Sequence, residues 1–188
     1  MLVSGSGTLL QSILDNQGER YRVSLVIADV ECAALARADK AGVDTRVVEL
    51  GADRAAWNVT LADVIAEGEP GVIVSAGFMK ILGAGVLDRF GGSIINTHPA
   101  LLPSFPGAHA VRDALAYGVK VTGSTVHYID AGVDTGPIIA QQAVDVAPED
   151  TESSLHERIK KIERELIVSV LRSASIDETN RKVEFIHE

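Results

Sequence analysis

Cysteine, aromatic residues and clusters of basic residues are all scarce in this sequence of 188 residues. Cys32 is the only cysteine, so no disulfide can form within the chain, and a reducing, cytoplasmic location is expected. Aromatic residues make up only 4%, which predicts an aliphatic core. The net charge is -9 and no stretch concentrates Lys and Arg, which disfavours nucleic-acid binding because that binding depends on neutralising phosphates.

Long apolar runs are missing as well. No run approaches the roughly 20 residues that a membrane-spanning helix needs, and the N-terminus lacks the basic and apolar segments of a signal peptide. We therefore expect no membrane span. A hydrophobic content of 46% and a charged content of 23% are ordinary for a globular protein. One domain over residues 1–188 is predicted.

Strand and helix signals alternate through the first half of the chain. Short apolar runs alternate with longer segments rich in Ala and Leu. This order is typical of an α/β fold with a mostly parallel sheet and helices on both faces. The predicted elements are strands at Met1–Val3, Val23–Ala28, Val43–Leu50 and Val72–Ser75, and helices at Leu9–Leu14, Glu31–Ala41 and Arg54–Glu67.

The second half of the chain is less regular. Its clearest signal is a long helix near the end, where apolar residues recur with the helical period from Leu155 to Val170. The predicted elements are strands at Ser93–Ile95, Val121–Ile129 and Ile138–Val146, helices at His109–Tyr117 and about Thr151–Leu171, a Gly-rich loop at Ala131–Gly136, and a terminal strand within Arg181–Glu188.

A glycine-rich loop, Ser4–Thr8, joins the first strand to the first helix. Such a loop directs backbone N–H groups toward the helix N-terminus, a geometry that favours phosphate. A plain tight turn is one alternative. A dinucleotide site is another, with Gly5, Gly7 and Asp29 in place, although Leu10 replaces the third glycine of that fingerprint. The first strand is so short that we expect the native chain to start upstream.

Asn96 and His98 follow directly on a predicted strand. In open α/β sheets, ligands bind at the carboxyl ends of strands, and residues two apart in an extended segment point to the same side. An amide that donates to an oxyanion and an imidazole that donates or moves a proton suit acyl transfer. Ordinary loop polarity is the other interpretation of this pair.

Asp134 lies between Gly132 and Gly136 in the loop that joins two predicted strands. Flanking glycines allow the backbone to bring a carboxylate close to a neighbouring group. A carboxylate beside His98 would favour the protonated imidazole and relay a proton. An Asp that merely stabilises a turn explains the same pattern.

Four segments occur together in an order and spacing that resemble the phosphoribosylglycinamide formyltransferases, the folate-dependent enzymes of purine synthesis. The resemblance runs from residue 1 to about residue 172. Its most specific part is the Asn-x-His-Pro…Leu-Leu-Pro segment with the later Asp-x-Gly-Pro, which is typical of enzymes that use formyl-tetrahydrofolate. The segments are Ser4–Gly7, Ala76–Leu82, Asn96–Pro103 and Asp134–Pro137.

The resemblance implies a Rossmann-like formyltransferase fold, with the Gly-loop phosphate half at about 1–75 and the formyl-folate half at about 76–188. It implies transfer of formyl from 10-formyltetrahydrofolate to the glycinamide amine of 5'-phosphoribosylglycinamide, without a metal. Asn96 and His98 would polarise the formyl oxygen, and Asp134 would tune His98. The implied phosphoribosyl contacts are Gly5, Ser6, Gly7, Thr8, Leu9, Lys160 and Glu163, and the implied folate contacts are Arg54, Met79, Lys80, Ile81, Leu82, Asn96, Asp130, Ala131, Gly132, Val133 and Asp134.

Helix geometry agrees with the implied position of Lys160 and Glu163. They are three residues apart, so they share a face of the long helix, and each follows a core position by one residue. They therefore lie on one margin of the buried stripe, where side chains can reach over a cleft. A surface salt bridge is the other interpretation.

Three positions depart from the family pattern. Leu9 stands where relatives commonly carry Asn, which removes a side-chain donor to the phosphate. Lys80 stands where Arg is frequent, which exchanges a planar fork for a point charge, and Val111 stands where some relatives have His. The other histidines are predicted to be mainly structural or on the surface, although the first two of them could line the cleft; they are His109, His127, His156 and His187.

Related enzymes and one unrelated class remain as alternatives. A formyl-tetrahydrofolate hydrolase shares the three catalytic residues but usually carries a further N-terminal domain. A methionyl-tRNA formyltransferase needs a tRNA-binding extension and a basic surface, which this acidic sequence lacks. The third alternative is a dinucleotide-binding module. The partners implied are small-molecule substrates, and a homodimer is left open.

Overall fold

Short strands and helices alternate along the chain in the computed structural model, which describes residues 1–177 and 183–185. The elements in chain order are β1 Leu2–Val3, α1 Thr8–Asp15, β2 Leu25–Ala28, α2 Ala33–Lys40, β3 Asp44–Val47, α3 Arg54–Glu67, β4 Ile73–Ser75, α4 Ala84–Phe90, β5 Ile94–His98, α5 Ala110–Tyr117, β6 Val121–Tyr128, β7 Ile138–Asp145, α6 Glu152–Ser173, β8 Ala174–Ile176 and β9 Val183–Phe185.

Seven of these strands form a central sheet in the order β3-β2-β1-β4-β5-β6-β7. Strands β1 to β5 pair in parallel, and β6 and β7 continue the sheet antiparallel. The predicted mostly parallel sheet is confirmed. The chain winds outward in one direction from β1 and in the other from β4, and ligands bind at the carboxyl ends of strands at such a point.

Local sequence explains where the main elements begin and why they are buried. All four residues of β2 are buried, as expected for a strand that is covered by helices on both faces. Asp53 caps α3 by accepting from the backbone N–H groups of Ala55 and Ala56. Thr151 and Ser154 form a capping box at the start of α6, and a cap of this kind is worth about 1 kcal/mol.

Strand β5 separates two hydrophobic layers. Ile95 belongs to the cluster formed with α1, α2 and α6, and Ile94 belongs to the cluster formed with α3 and α4. We refer to these two sides of the sheet as the α1/α6 face and the α3/α4 face. Because side chains alternate along a strand, successive residues of β5 contact opposite faces.

The structure differs from the sequence predictions at three short elements. Strand β5 extends to His98, past the predicted strand Ser93–Ile95, so Asn96 and His98 lie within the strand and do not follow it. Helix α4 was not predicted, because it has only seven residues and glycines at its start. Strand β8 follows α6 directly and pairs with β9. The predicted terminal strand is confirmed at Val183–Phe185, and the rest of that range, His187 included, lies outside the described residues. Within the described residues, no helix has both the length and the apolar character needed to cross a membrane.

Candidate active site

The end of β5 carries two polar side chains on the same face of the sheet. Asn96 lies opposite His127 on β6, and His98 lies opposite Thr125. Cross-strand partners share a face, and the alternation of β5 assigns this face to the α3/α4 side. The prediction that Asn96 and His98 point the same way is confirmed.

His98 is almost fully buried and both of its ring nitrogens face oxygen atoms. Nδ1 lies 3.3 Å from Oδ2 of Asp134, and Nε2 lies 2.8 Å from the carbonyl oxygen of Phe105. A carbonyl oxygen can only accept, so Nε2 donates to it. The structure thus brings Asp134 to His98, the contact that spacing alone left open.

The backbone around Asp134 is unusually constrained. Asp134 itself has a φ of 55°, in the left-handed region that few residues other than glycine adopt. A Cβ at Gly136 would lie 1.8 Å from the carbonyl oxygen of Tyr128, so only glycine fits there. The N–H of Gly107 donates to Oδ2 of Asp134 at 2.7 Å. These contacts fix the carboxylate beside His98.

His127 is a fourth polar side chain of this cluster. Its Nδ1 lies 2.9 Å from the carbonyl oxygen of Tyr128 and must donate to it, which leaves Nε2 as an acceptor. Nε2 lies 3.3 Å from Nδ2 of Asn96 and 3.6 Å from Oδ1 of Asp134. Burial lowers the pKa of His127 below its usual value, which favours the neutral ring that accepts the Asn96 amide.

Of the predictions for His127, which were a structural or surface position that could line the cleft, the surface position is wrong. His127 is 2% exposed and contacts two of the three predicted catalytic residues. The alternating pattern of β6 shows that His127 points to one face of the sheet, but it does not identify the residue opposite. Only the register between β5 and β6 sets it opposite Asn96, and that register was not predicted.

The segment between β4 and α4 is tied to the ends of three other elements. The N–H of Met79 donates to Oγ of Ser4 at 2.8 Å, and Nη2 of Arg54 donates to the carbonyl oxygen of Ile81 at 2.7 Å. Met79 and Ile81 expose 73% and 62% of their surface, whereas Leu82 is buried in the core. The exposed side chains of Met79 and Ile81 therefore form an apolar rim. Leu82 does not contribute to its surface.

Lys80 pairs with Asp29, with 3.1 Å between Nζ and Oδ2. The Asp29 side chain is only 2% exposed. A carboxylate that binds a ribose needs to be accessible, so this geometry counts against the dinucleotide interpretation of Asp29. The positive charge of Lys80 is thus paired with a carboxylate of the protein itself.

The loop before Asp134 is organised by Asp130. Oδ1 of Asp130 accepts from the N–H of Gly132 at 2.9 Å and from Oγ1 of Thr135 at 2.7 Å. The bond from Thr135 is the main cause of a lowered pKa for Asp130. Ala131, Gly132 and Val133 are exposed, so this predicted folate wall borders solvent directly beside the buried cluster.

The glycine-rich loop packs closely on α2. Gly7 has a φ of 69°, and a Cβ there would lie 2.7 Å from Cα of Ala34. Within the described part of the chain, no side chain caps α1. The N–H groups of the first helical turn, from Thr8 and Leu9, therefore point out of the helix N-terminus without a side-chain acceptor. The Leu9 side chain itself is buried in the core.

Lys160 and Glu163, which both lie on α6, have different partners. Oγ1 of Thr97 donates to Oε1 of Glu163 at 2.8 Å, and burial raises the pKa of Glu163. Nζ of Lys160 lies 2.8 Å from Oε1 of Glu157, so the salt bridge that we considered between Lys160 and Glu163 is not the one formed. Because Thr97 stands between Asn96 and His98, Glu163 lies on the opposite face of β5.

A cavity of the fold lies away from these residues. This cavity of about 330 Å³ lies at the other end of the strands, around Leu2, Tyr21 and Val72, and contains none of the predicted site residues. Among the described residues, no group of three or more His, Cys, Asp or Glu side chains is arranged to hold a metal ion.

Comparison with known proteins identifies the family. The model of the family described as "Formyl transferase" matches residues 1–171. The chain belongs to this family. The predicted Rossmann-like formyltransferase fold is confirmed by the structural relatives as well as by the sheet.

The family includes similar enzymes of known name. The chain is 54% identical over 175 residues to the phosphoribosylglycinamide formyltransferase of Mycobacterium tuberculosis, which covers 91% of this chain and 81% of that protein. It is 37% identical over 178 residues to the human trifunctional purine biosynthetic protein adenosine-3, covering 92% and 18% of the two chains. The crystal structure of glycinamide ribonucleotide transformylase 1 from Symbiobacterium toebii superposes with a TM-score of 0.89 and 39% identity, covering 99% of this chain and 92% of that one.

Proposed function

We propose that this formyl transferase moves the formyl group of 10-formyltetrahydrofolate to the glycinamide amine of 5'-phosphoribosylglycinamide, a step in IMP synthesis. The observation that carries the proposal is the 54% identity, over 91% of the chain, to an enzyme of that name. The cluster of Asn96, His98 and Asp134 at a strand end supports it, because an amide, an imidazole and a carboxylate supply what acyl transfer requires.

In this mechanism the amine attacks the formyl carbon directly. A bond forms between the amine nitrogen and that carbon, and the bond between the carbon and N10 of the folate breaks. Asn96 and His98 donate to the oxyanion that develops between these events. Nε2 of His98 now faces the carbonyl oxygen of Phe105 at 2.8 Å, so the formyl oxygen takes the place of that acceptor when the substrate binds.

Asp134 orients His98. Its Oδ2 lies 3.3 Å from Nδ1 of the ring, so the carboxylate holds the imidazole with Nε2 directed away from it. One proton leaves the attacking nitrogen and one arrives at N10. Asp134 relays the proton between them through water. No bond from the substrate to the enzyme is needed, and no metal is required.

His127 acts as a positioning residue for the amide. Its neutral Nε2 accepts from Nδ2 of Asn96, which fixes the amide orientation and leaves the second N–H of that group for the oxyanion. The assignment rests on the contact at 3.3 Å and on the bond from Nδ1 to Tyr128 that selects the tautomer.

The two substrates approach β5 from opposite faces. The formyl-folate lies on the α3/α4 face, against Arg54, the rim at residues 79–82 and the loop at residues 130–134. The phosphoribosyl group lies on the α1/α6 face, against residues 5–9, Lys160 and Glu163. Helix α6 belongs to the second half of the sequence, yet it packs on α1. We therefore propose one domain over residues 1–188 in which the two substrate sites lie on the two faces of the sheet, and not in the first and second halves of the sequence.

A cytoplasmic location and small-molecule partners belong to the same proposal, and a homodimer stays open. The decisive experiment incubates the protein with 10-formyltetrahydrofolate, with and without phosphoribosylglycinamide, and measures tetrahydrofolate and the formylated product. We expect turnover only with the acceptor. Equal release of tetrahydrofolate without it would identify a hydrolase. Thermal stabilisation by NAD, with none by a folate analogue, would identify a dinucleotide-binding module.

A further inference from the structure

A groove along α1 carries two arginines, Arg37 from α2 and Arg164 from α6. It begins at Thr8, the first residue of α1, and extends to Asn16 at the end of that helix. The backbone N–H groups that we propose for the phosphate lie at its Thr8 end. The residues that line it are Thr8, Gln11, Ser12, Asp15, Asn16, Arg37 and Arg164.

Arg37 is hydrogen-bonded to the backbone of the glycine-rich loop. Its Nε donates to the carbonyl oxygen of Ser6 at 2.8 Å, and its Nη1 donates to Oε1 of Gln11 at 3.0 Å. Gln11 is oriented in turn by its own bond to Oδ1 of Asp15 at 2.8 Å. Ser6 is next to Gly7, so the guanidinium charge is fixed about one peptide unit from the phosphate-facing N–H groups, and Nη2 is left over from these bonds.

Arg164 stands one helical turn after Lys160 on α6. Its backbone oxygen accepts from Oγ of Ser12 at 3.5 Å, which joins this part of α6 to α1. The carboxylates near Arg164 are those of Glu157 and Glu163, and Asp15 lines the groove itself. Lys160 already pairs with Glu157 at 2.8 Å. Arg37 and Arg164 are therefore the cations of this groove that no described carboxylate pairs within salt-bridge distance.

We propose that Arg37 and Arg164 form a clamp for the phosphate monoester of the acceptor, and this rests on the proposed function. Leu9 offers no side-chain donor at the loop, and its side chain is buried. The two guanidinium groups supply positive charge to the groove that begins at the first residue of α1. A charged phosphate gains more from such groups than from neutral donors, and Arg37 also shapes the loop that receives it.

The test separates a charge contact from simple bracing of the loop. Steady-state kinetics of Arg37→Gln and Arg164→Gln are measured with the phosphorylated acceptor and with its dephosphorylated riboside. We expect each variant to raise KM about tenfold for the phosphorylated acceptor only, with KM for the formyl-folate unchanged. Arg37→Lys keeps the charge and is expected to restore part of the phosphate preference.

Arg172→Gln is the matched control. Arg172 also joins α6 to α1, through Oδ1 of Asn16 at 3.0 Å, but does not line the groove, so its loss is expected to leave the phosphate preference intact. An equal rise in KM for both acceptors, or no rise at all, would overturn the clamp. A wild-type protein that transfers no formyl group would contradict the proposed function instead.

Discussion

The two faces of the central sheet offer different kinds of groups to the proposed substrates. On the α3/α4 face, the groups assigned to the reaction are buried or partly buried side chains whose polar atoms lie 3.3–3.6 Å from one another. On the α1/α6 face, the groups assigned to the phosphate are backbone N–H groups and partly exposed cations. Charge that develops during a reaction needs donors fixed in advance, whereas a permanent phosphate charge is attracted by less exactly placed partners.

The largest effect is expected from the buried cluster. His98→Asn and Asn96→Ala each remove a donor to the oxyanion, so we expect kcat to fall by about 10²–10³ with KM for either substrate changed little. Single-turnover measurement of formyl transfer checks this. Thr97→Val alters the same strand on its other face, and the contrast would be lost if that variant lowered kcat equally.

The next largest effect is expected from Gly136→Ala. The added Cβ meets the backbone oxygen of Tyr128 at 1.8 Å, so the loop must move and carries Asp134 away from His98. We expect a loss of about 1–3 kcal/mol in the free energy of unfolding and a fall in kcat of about tenfold or more. Gly51→Ala, where a Cβ meets nothing within 4 Å, is the control for urea denaturation and for kinetics.

A smaller and different effect is expected on the α1/α6 face from Gly7→Ala. The Cβ would lie 2.7 Å from Cα of Ala34 and would strain a φ of 69°. We expect KM for the phosphorylated acceptor to rise by about tenfold while kcat at saturation stays close to that of the wild type. Gly5→Ala, which meets nothing within 4 Å, should raise KM less. A loss confined to kcat would show that the two faces are not separable.

The smallest effect is expected from Glu163→Gln, and it concerns stability. Burial raises the pKa of Glu163, so the native state binds this proton more tightly than the unfolded state and loses stability as pH rises through the native pKa. Glutamine keeps the acceptor for Thr97 without the charge. Thermal unfolding at pH 8 should show a Tm rise of about 2–4 °C, as for about 1 kcal/mol, and no rise at pH 4. Glu165→Gln, exposed on the same helix, should change neither.

Periodicity and local motifs predicted the features that depend on neighbouring residues. The shared side of Asn96 and His98 follows from the strand period, and the elements of the first half follow from alternating apolar runs. Contacts between segments far apart in the sequence could not be predicted from local patterns. His127 meets Asn96 through the β5–β6 register, and Lys80 meets Asp29 across two separate loops.

Asp134 illustrates the boundary between these cases. Its flanking glycines indicated a close approach to some neighbour, but only the family resemblance pointed to His98. The structure adds the reason for the glycine at 136, since the Tyr128 carbonyl leaves no room for a side chain. It also adds the left-handed backbone of Asp134, which no pattern in the sequence specifies.

The alternation of side chains along β5 has a consequence for how such enzymes diversify. Because we propose that the donor and the acceptor bind on opposite layers, substitutions on α1, α2 and α6 are expected to alter acceptor binding more than donor binding. A change of acceptor is then expected to require few changes on the α3/α4 layer. Chains that share the Asn-x-His pair and the later Asp are expected to vary most on the α1/α6 layer, and an engineered change of acceptor should begin there.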